Sequence, residues 1–168
     1  MTRNKGIILF VLLCSIIAIL YWGTRPCLCL YGNSTQLITT VEVSPDTKVE
    51  ISFIHSVQKT RVEELLTVDE SQQGFVLYST RYHSFGVGLP FMETDGNFHQ
   101  DGNTFVMDDM NRHFNELNLR TGVGTELTVK LDGKSYRLYE MFEPGEEIDI
   151  RIAPRGKVIW EAIKQRGN

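Results

Sequence analysis

Residues 7–22 read IILFVLLCSIIAILYW, an apolar run broken only by Ser15. As a helix rising 1.5 Å per residue it reaches about 24 Å, a little short of a hydrocarbon core of ~30 Å. Arg3 and Lys5 in front of it can snorkel outward, and Tyr21-Trp22 at its end suits the aromatic belt of a membrane surface. A buried core helix would normally show polar positions at helical spacing, and this run shows none. Cleavage of a signal peptide needs small residues just before the cut, yet Leu20-Tyr21-Trp22-Gly23-Thr24-Arg25-Pro26 offers bulky rings. A lipoprotein signal would put a small residue before its Cys, whereas Leu13, Pro26 and Leu28 precede the three cysteines. The run is therefore expected to be an uncleaved signal anchor. Basic residues ahead of it place the N-terminus in the cytoplasm and everything after about residue 24 outside.

The charge distribution agrees with two environments. Residues 1–30 carry Arg3, Lys5 and Arg25 and no acid; the rest carries 14 bases and 21 acids, net −7. A net charge of −4 for the whole chain excludes a typical nucleic-acid binder. Three cysteines in 168 residues exclude a disulfide-dense scaffold. The expected organisation is an anchor over 1–26, a β domain over 27–153 and a short helix or tail over 154–168.

Within the domain the hydrophobic pattern has period two. Candidate strands cover 36–43, 48–55, 61–69, 74–82, 103–107, 113–120, 126–131, 135–142 and 147–152, separated by turn signals such as Asp101-Gly102 and Asp132-Gly133. Such spacing predicts an all-β fold, an antiparallel sandwich or barrel of about 8–10 short strands. Residues 157–165, KVIWEAIKQ, read as a helix, and the basic residues around it are read as a solvated tail. Cys27 and Cys29 are read as small apolar side chains at a strand start, expected to be directed apart and unbridged. Asp132-Gly133 favours a two-residue type I′ turn, which sets Val129 opposite Tyr136 and Leu127 opposite Leu138 on the apolar face.

The candidate site lies where this alternation meets polar residues. Val49, Ile51, Phe53 and His55 share one face; Val62, Glu64, Leu66 and Val68 share another. Centring the intervening loop on Lys59-Thr60 matches Ile51 with Val68, Phe53 with Leu66, and His55 with Glu64. A His–carboxylate pair at the rim of the apolar face follows. A second anomaly, Arg81-Tyr82-His83-Ser84-Phe85-Gly86-Val87-Gly88-Leu89-Pro90, runs from a strand into alternate glycines, suited to a tight turn or a ligand-facing loop.

His55, Glu64 and His83 are chemically apt zinc ligands, but they come from separate strands without metalloprotease spacing, so no metal is assigned. Ser56 adjoins His55 on the opposite side of a strand, and no G-x-S-x-G occurs, so no nucleophile is assigned either. No cofactor is implied, and an enzyme is not expected; a metal-dependent hydrolase using His55, Glu64 and His83 is the alternative. A ligand-free structural domain is the second alternative.

The segment Phe53-Ile54-His55-Ser56-Val57, then Val62-Glu63-Glu64, then Ser84-Phe85-Gly86-Val87-Gly88-Leu89-Pro90 resembles the hallmark of the domain-of-unknown-function family 1850. The resemblance implies a small bacterial membrane-anchored protein, encoded beside TAXI-type tripartite ATP-independent periplasmic (TRAP) transporters. The implied role is accessory to solute uptake, with the transporter's membrane subunit or its solute-binding protein as partner and the bilayer engaged through residues 7–22. The residues expected to bind a ligand or partner are His55, Ser56, Glu64, His83, Phe85, Gly86, Gly88 and Pro90.

Overall fold

The computed structural model describes residues 2–44, 46–84 and 96–166. Helix α1 (Thr2–Thr24) carries the apolar run. Its stretch Gly6–Thr24, of mean hydropathy 2.5, is long and apolar enough to cross a membrane, and none of it is buried against the rest of the chain. An apolar N-terminal helix of this kind serves as a signal anchor or a signal sequence.

The body is mostly antiparallel β in two sheets. In chain order the strands are β1 (Pro26–Gly32), β2 (Gln36–Glu42), β3 (Lys48–Ile54), β4 (Arg61–Val68), β5 (Phe75–Tyr82), β6 (Asn97–Asp101) and β7 (Thr104–Asp108). They continue with β8 (Arg112–Phe114), β9 (Glu116–Arg120), β10 (Thr128–Leu131), β11 (Lys134–Arg137) and β12 (Glu147–Pro154). The smaller sheet has the order β2-β1-β12-β9; the larger runs β11-β10-β3-β4-β5-β7-β6, with β8 paired to β5. The core lies between them. Leu28, Leu30, Ile148, Ile150 and Leu117 of the smaller sheet pack with Val49, Ile51, Leu66, Phe75, Leu77, Val129 and Leu131 of the larger. At roughly 1.5–3 kcal/mol for each fully buried aliphatic or aromatic side chain, this layer supplies the main driving force.

Strand β1 was not among the expected strands. It is buried along almost its whole length, because each of its faces has a partner. Leu28 and Leu30 enter the inter-sheet core, while Cys27, Cys29 and Tyr31 lie under Val158 of helix α3 (Arg155–Arg166). A strand covered on both faces is a continuous apolar run, with no alternation to read. The cysteines correct their expected divergence: residues two apart on a strand share a face. Their sulfurs are 3.7 Å apart as free thiols, and burial together with Cys27 pushes the Cys29 thiol well above its ordinary pKa.

The hairpin β10–β11 has the predicted register: Val129 opposite Tyr136, Thr128 opposite Arg137 and Lys130 opposite Ser135. Asp132 and Gly133 both have positive φ, 48° and 73°, as a type I′ turn requires. Past Arg137 the expected strand gives way to a single helical turn, α2 (Leu138–Met141), although Leu127 and Leu138 stay buried and the Leu138 amide donates to the Leu127 carbonyl. The expected strand over 113–120 is two strands in different sheets: β8 pairs with β5 and β9 with β12.

Candidate functional site

His55, Ser56, His83 and Ser84 lie around one end of β3, β4 and β5. Between β3 and β4 the chain turns through residues 56–59, with Lys59 in the left-handed region (φ 56°). The His55 amide donates to the Thr60 carbonyl and the Lys59 amide to the His55 carbonyl, each at 2.9 Å. The imidazole closes the turn, its Nδ1 accepting from the amides of Val57 and Gln58, both at 3.2 Å. Ser56 and Val57 stand exposed at the tip.

This turn corrects the expected register by four residues. Ile51 faces Glu64, Phe53 faces Val62 and Val49 faces Leu66. A four-residue shift keeps every side chain on its face, and the new register still forms two apolar pairs, so hydrophobic matching could not choose between them. The side-chain cap within the turn could. The consequence is that His55 faces Thr60, not Glu64, and the two rungs lie about 13 Å apart along the strands at ~3.3 Å per residue. The predicted His–carboxylate pair does not form.

Glu64 instead occupies the inner face in a rung that runs Val129, Ile51, Glu64, Thr80, Met107 across five strands. On one side of it lies the main core; on the other is a smaller cluster of Val62 and Tyr82 with Phe53 and Phe105 packed against it. A carboxyl group set between two apolar clusters loses hydration. Burial raises its pKa above the ordinary carboxylate value, opposed by the attraction of Arg112. Thr80, its neighbour on β5, is buried and donates its hydroxyl to the Met110 sulfur at 3.4 Å. A bulge between Leu65 and Leu66 hides Thr80 from a strict alternation count along β5.

His83 follows β5 directly. Its Nδ1 lies 3.3 Å from the Arg61 carbonyl and its Nε2 3.3 Å from the Thr104 hydroxyl, so the ring ties the start of β4 to the start of β7. The neutral tautomer protonated on Nδ1 satisfies both contacts, donating to the carbonyl and accepting from the hydroxyl. Next to it, the Ser84 hydroxyl donates to Gln58 Oε1 at 3.1 Å. The His-Ser-Val turn and the segment leading into the Gly-rich motif are therefore in direct contact. The Thr60 hydroxyl beside this junction is buried and has no hydrogen-bond partner among the described residues. Phe85, Gly86, Gly88 and Pro90 lie outside the described residues.

The sequence had brought out His55, Ser56, Glu64 and His83 but not Gln58, Thr104 or Thr80. Gln58 lies in a loop and Thr104 at the first position of β7, and neither contact follows from strand periodicity. Among the described residues no group of three or more His, Cys, Asp or Glu side chains is placed to hold a metal ion. His55, Glu64 and His83 sit on different rungs rather than around one point. A cleft of about 500 Å³ lies at the other end of β3, lined by Ser44, Thr47, Glu50, Lys130 and Asp132. What the junction can do chemically is present hydrogen-bonding groups at a sheet end, with the Glu64 carboxyl four residues further along the strands.

A family model described as a domain of unknown function, DUF1850, matches residues 49–138, more than half of the chain. The match spans β3 to the end of β11 and contains every candidate residue above. No curated protein and no solved structure matches.

Proposed function

The chain belongs to the DUF1850 family, and from that premise we propose that it is a membrane-anchored, non-catalytic accessory module of a TRAP-type solute uptake system of the TAXI class. The observation that carries this reading is α1, an apolar helix exposed over residues 6–22 and joined to a β body with a separate core. Such a helix needs a bilayer to cover it. In this reading the N-terminus is cytoplasmic and the β domain extracytoplasmic, with the junction of the His55 turn and His83-Ser84 touching the transporter's membrane subunit or its solute-binding protein. The exposed tip of the turn, Ser56 and Val57 beside the Ser84–Gln58 contact, supports a contact surface at this junction.

The test uses the full chain co-expressed with the transporter's membrane subunit and its solute-binding protein, solubilised in mild detergent. Capture of either through the β domain is expected, together with its loss in Ser84→Ala and His55→Ala variants that remain folded by circular dichroism. Equal capture of an unrelated membrane protein, or no capture, overturns the proposal. Orientation is read separately: external protease should remove a C-terminal tag from spheroplasts and spare an N-terminal one.

A further inference from the structure

Helix α3 has two stripes at helical spacing. Val158, Glu161, Ala162 and Gln165, at i, i+3, i+4 and i+7, face the smaller sheet. Val158 is buried against Cys27, Cys29 and Tyr31; Glu161 pairs with Arg151 at 3.6 Å; Gln165 donates to the Thr35 carbonyl at 2.9 Å. The second stripe, Gly156, Ile159, Trp160 and Ile163, has the same spacing displaced by two residues and so lies on the opposite side. It is apolar, and it is open: Trp160 is 68% and Ile163 61% exposed. A helix packed through one face normally turns charge to solvent on the other. This one does not.

What lies against the beginning of that stripe is α1. A Cβ on Gly156 would stand 3.2 Å from the Gly23 carbonyl oxygen, so the two helices approach backbone to backbone. The Arg155 guanidinium sits 4.8 Å over the Trp22 ring, and the Arg155 amide donates to the Arg25 carbonyl at 2.9 Å. Tyr21 and Trp22 are the aromatic end of the apolar run, the part that sits at headgroup depth when the run spans a bilayer. The same contacts therefore hold the first turn of α3 at that depth. Lys157 and Lys164, seven residues apart, flank the stripe on one side, the arrangement of helices that lie in an anionic membrane surface.

We propose that α3 is a second membrane contact, its Gly156-Ile159-Trp160-Ile163 stripe lying in the headgroup region of the bilayer that α1 crosses, with Lys157 and Lys164 on anionic headgroups. The proposal rests on α1 being membrane-embedded, and it adds that the β domain is held at a fixed attitude to the surface instead of swinging on a single tether.

Trp22 and Trp160 are the only tryptophans in the chain, and each can be read alone. The full chain is reconstituted in vesicles of phosphatidylethanolamine and phosphatidylglycerol, some with acyl chains brominated close to the headgroup. In the Trp22→Phe variant the remaining Trp160 emission is expected to be blue-shifted and to fall roughly twofold in brominated vesicles, since interfacial helices bury their apolar face about 5–10 Å deep. In the Trp160→Phe variant the remaining Trp22 should also be quenched. Quenching of Trp22 with Trp160 unquenched overturns this proposal and leaves the anchor intact. Absence of quenching for both overturns the anchor reading beneath it. Trp160 blue-shifted but untouched by bromine would mean that a second protein copy covers the stripe, which also overturns it.

Discussion

Hairpins β10–β11 and β3–β4 stand side by side in the larger sheet, joined through the β10–β3 pairing, and both have apolar inner faces, yet they fix their registers by different means. The first is closed by backbone geometry: two residues with positive φ at Asp132-Gly133 admit one tight turn and one alignment. The second is closed by a side chain, with the His55 imidazole accepting from two amides of its own turn. Hydrophobic pairing is satisfied in both, but only in the first does a local sequence signal name the turn. Strand patterning thus selects the face, and turn chemistry selects the register.

The comparison can be tested by perturbing what the hairpins share and then what separates them. Ile51 lies opposite Val129 of one hairpin and Glu64 of the other, 1% exposed. Ile51→Ala should therefore weaken both, costing about 2–5 kcal/mol in urea-unfolding free energy of the folded full chain in detergent. Gly133→Ala forces a side chain into φ 73° and should cost about 1 kcal/mol, confined to the first hairpin. His55→Ala removes the acceptor for two exposed amides and should cost about 0.5–1 kcal/mol, with faster hydrogen exchange at Val57 and Gln58 and unchanged exchange at Lys134. If His55→Ala slowed exchange there, the side-chain closure would be refuted.

The smallest effect depends on pH. Because burial raises the Glu64 pKa in the folded chain, its contribution to stability is fully present below the ordinary carboxylate range and is lost as pH rises through the raised value. Glu64→Gln should accordingly be more stable than the parent at neutral pH, with the difference closing on acidification. Urea midpoints taken across that range give the answer; a parent that outperforms the variant at neutral pH would show that Arg112 attraction outweighs burial.

Much of the architecture could be read from residue order because the domain is built from half-buried strands. Eight of the nine expected strands overlap one observed strand each, and 113–120 overlaps two. The failures share a cause. Strand β1 has no alternation because α3 covers its second face; Asn97–Asp101 reads as turn chemistry, yet pairs along its whole length with β7. The site was legible in composition but not in geometry. His55, Glu64 and His83 stood out as polar residues breaking an apolar pattern, while their separation depended on a turn held by one imidazole and on a bulge at Leu65-Leu66. Residues 157–165 were legible as a helix, but the apolar face opposite the sheet was not singled out, because the approach of Gly23 to Gly156 has no sequence signal.

Pro26 pairs with Pro154, so the chain enters and leaves the β body at one corner. Strand β1, which continues directly from α1, is hydrogen-bonded along both edges, to β2 and to β12. Inter-strand bonds in antiparallel ladders run perpendicular to the strands. Tension drawn through α1 along that strand would load two ladders in shear at once instead of peeling one bond after another. The strand that continues α1 is thus released only when both of its ladders give way together.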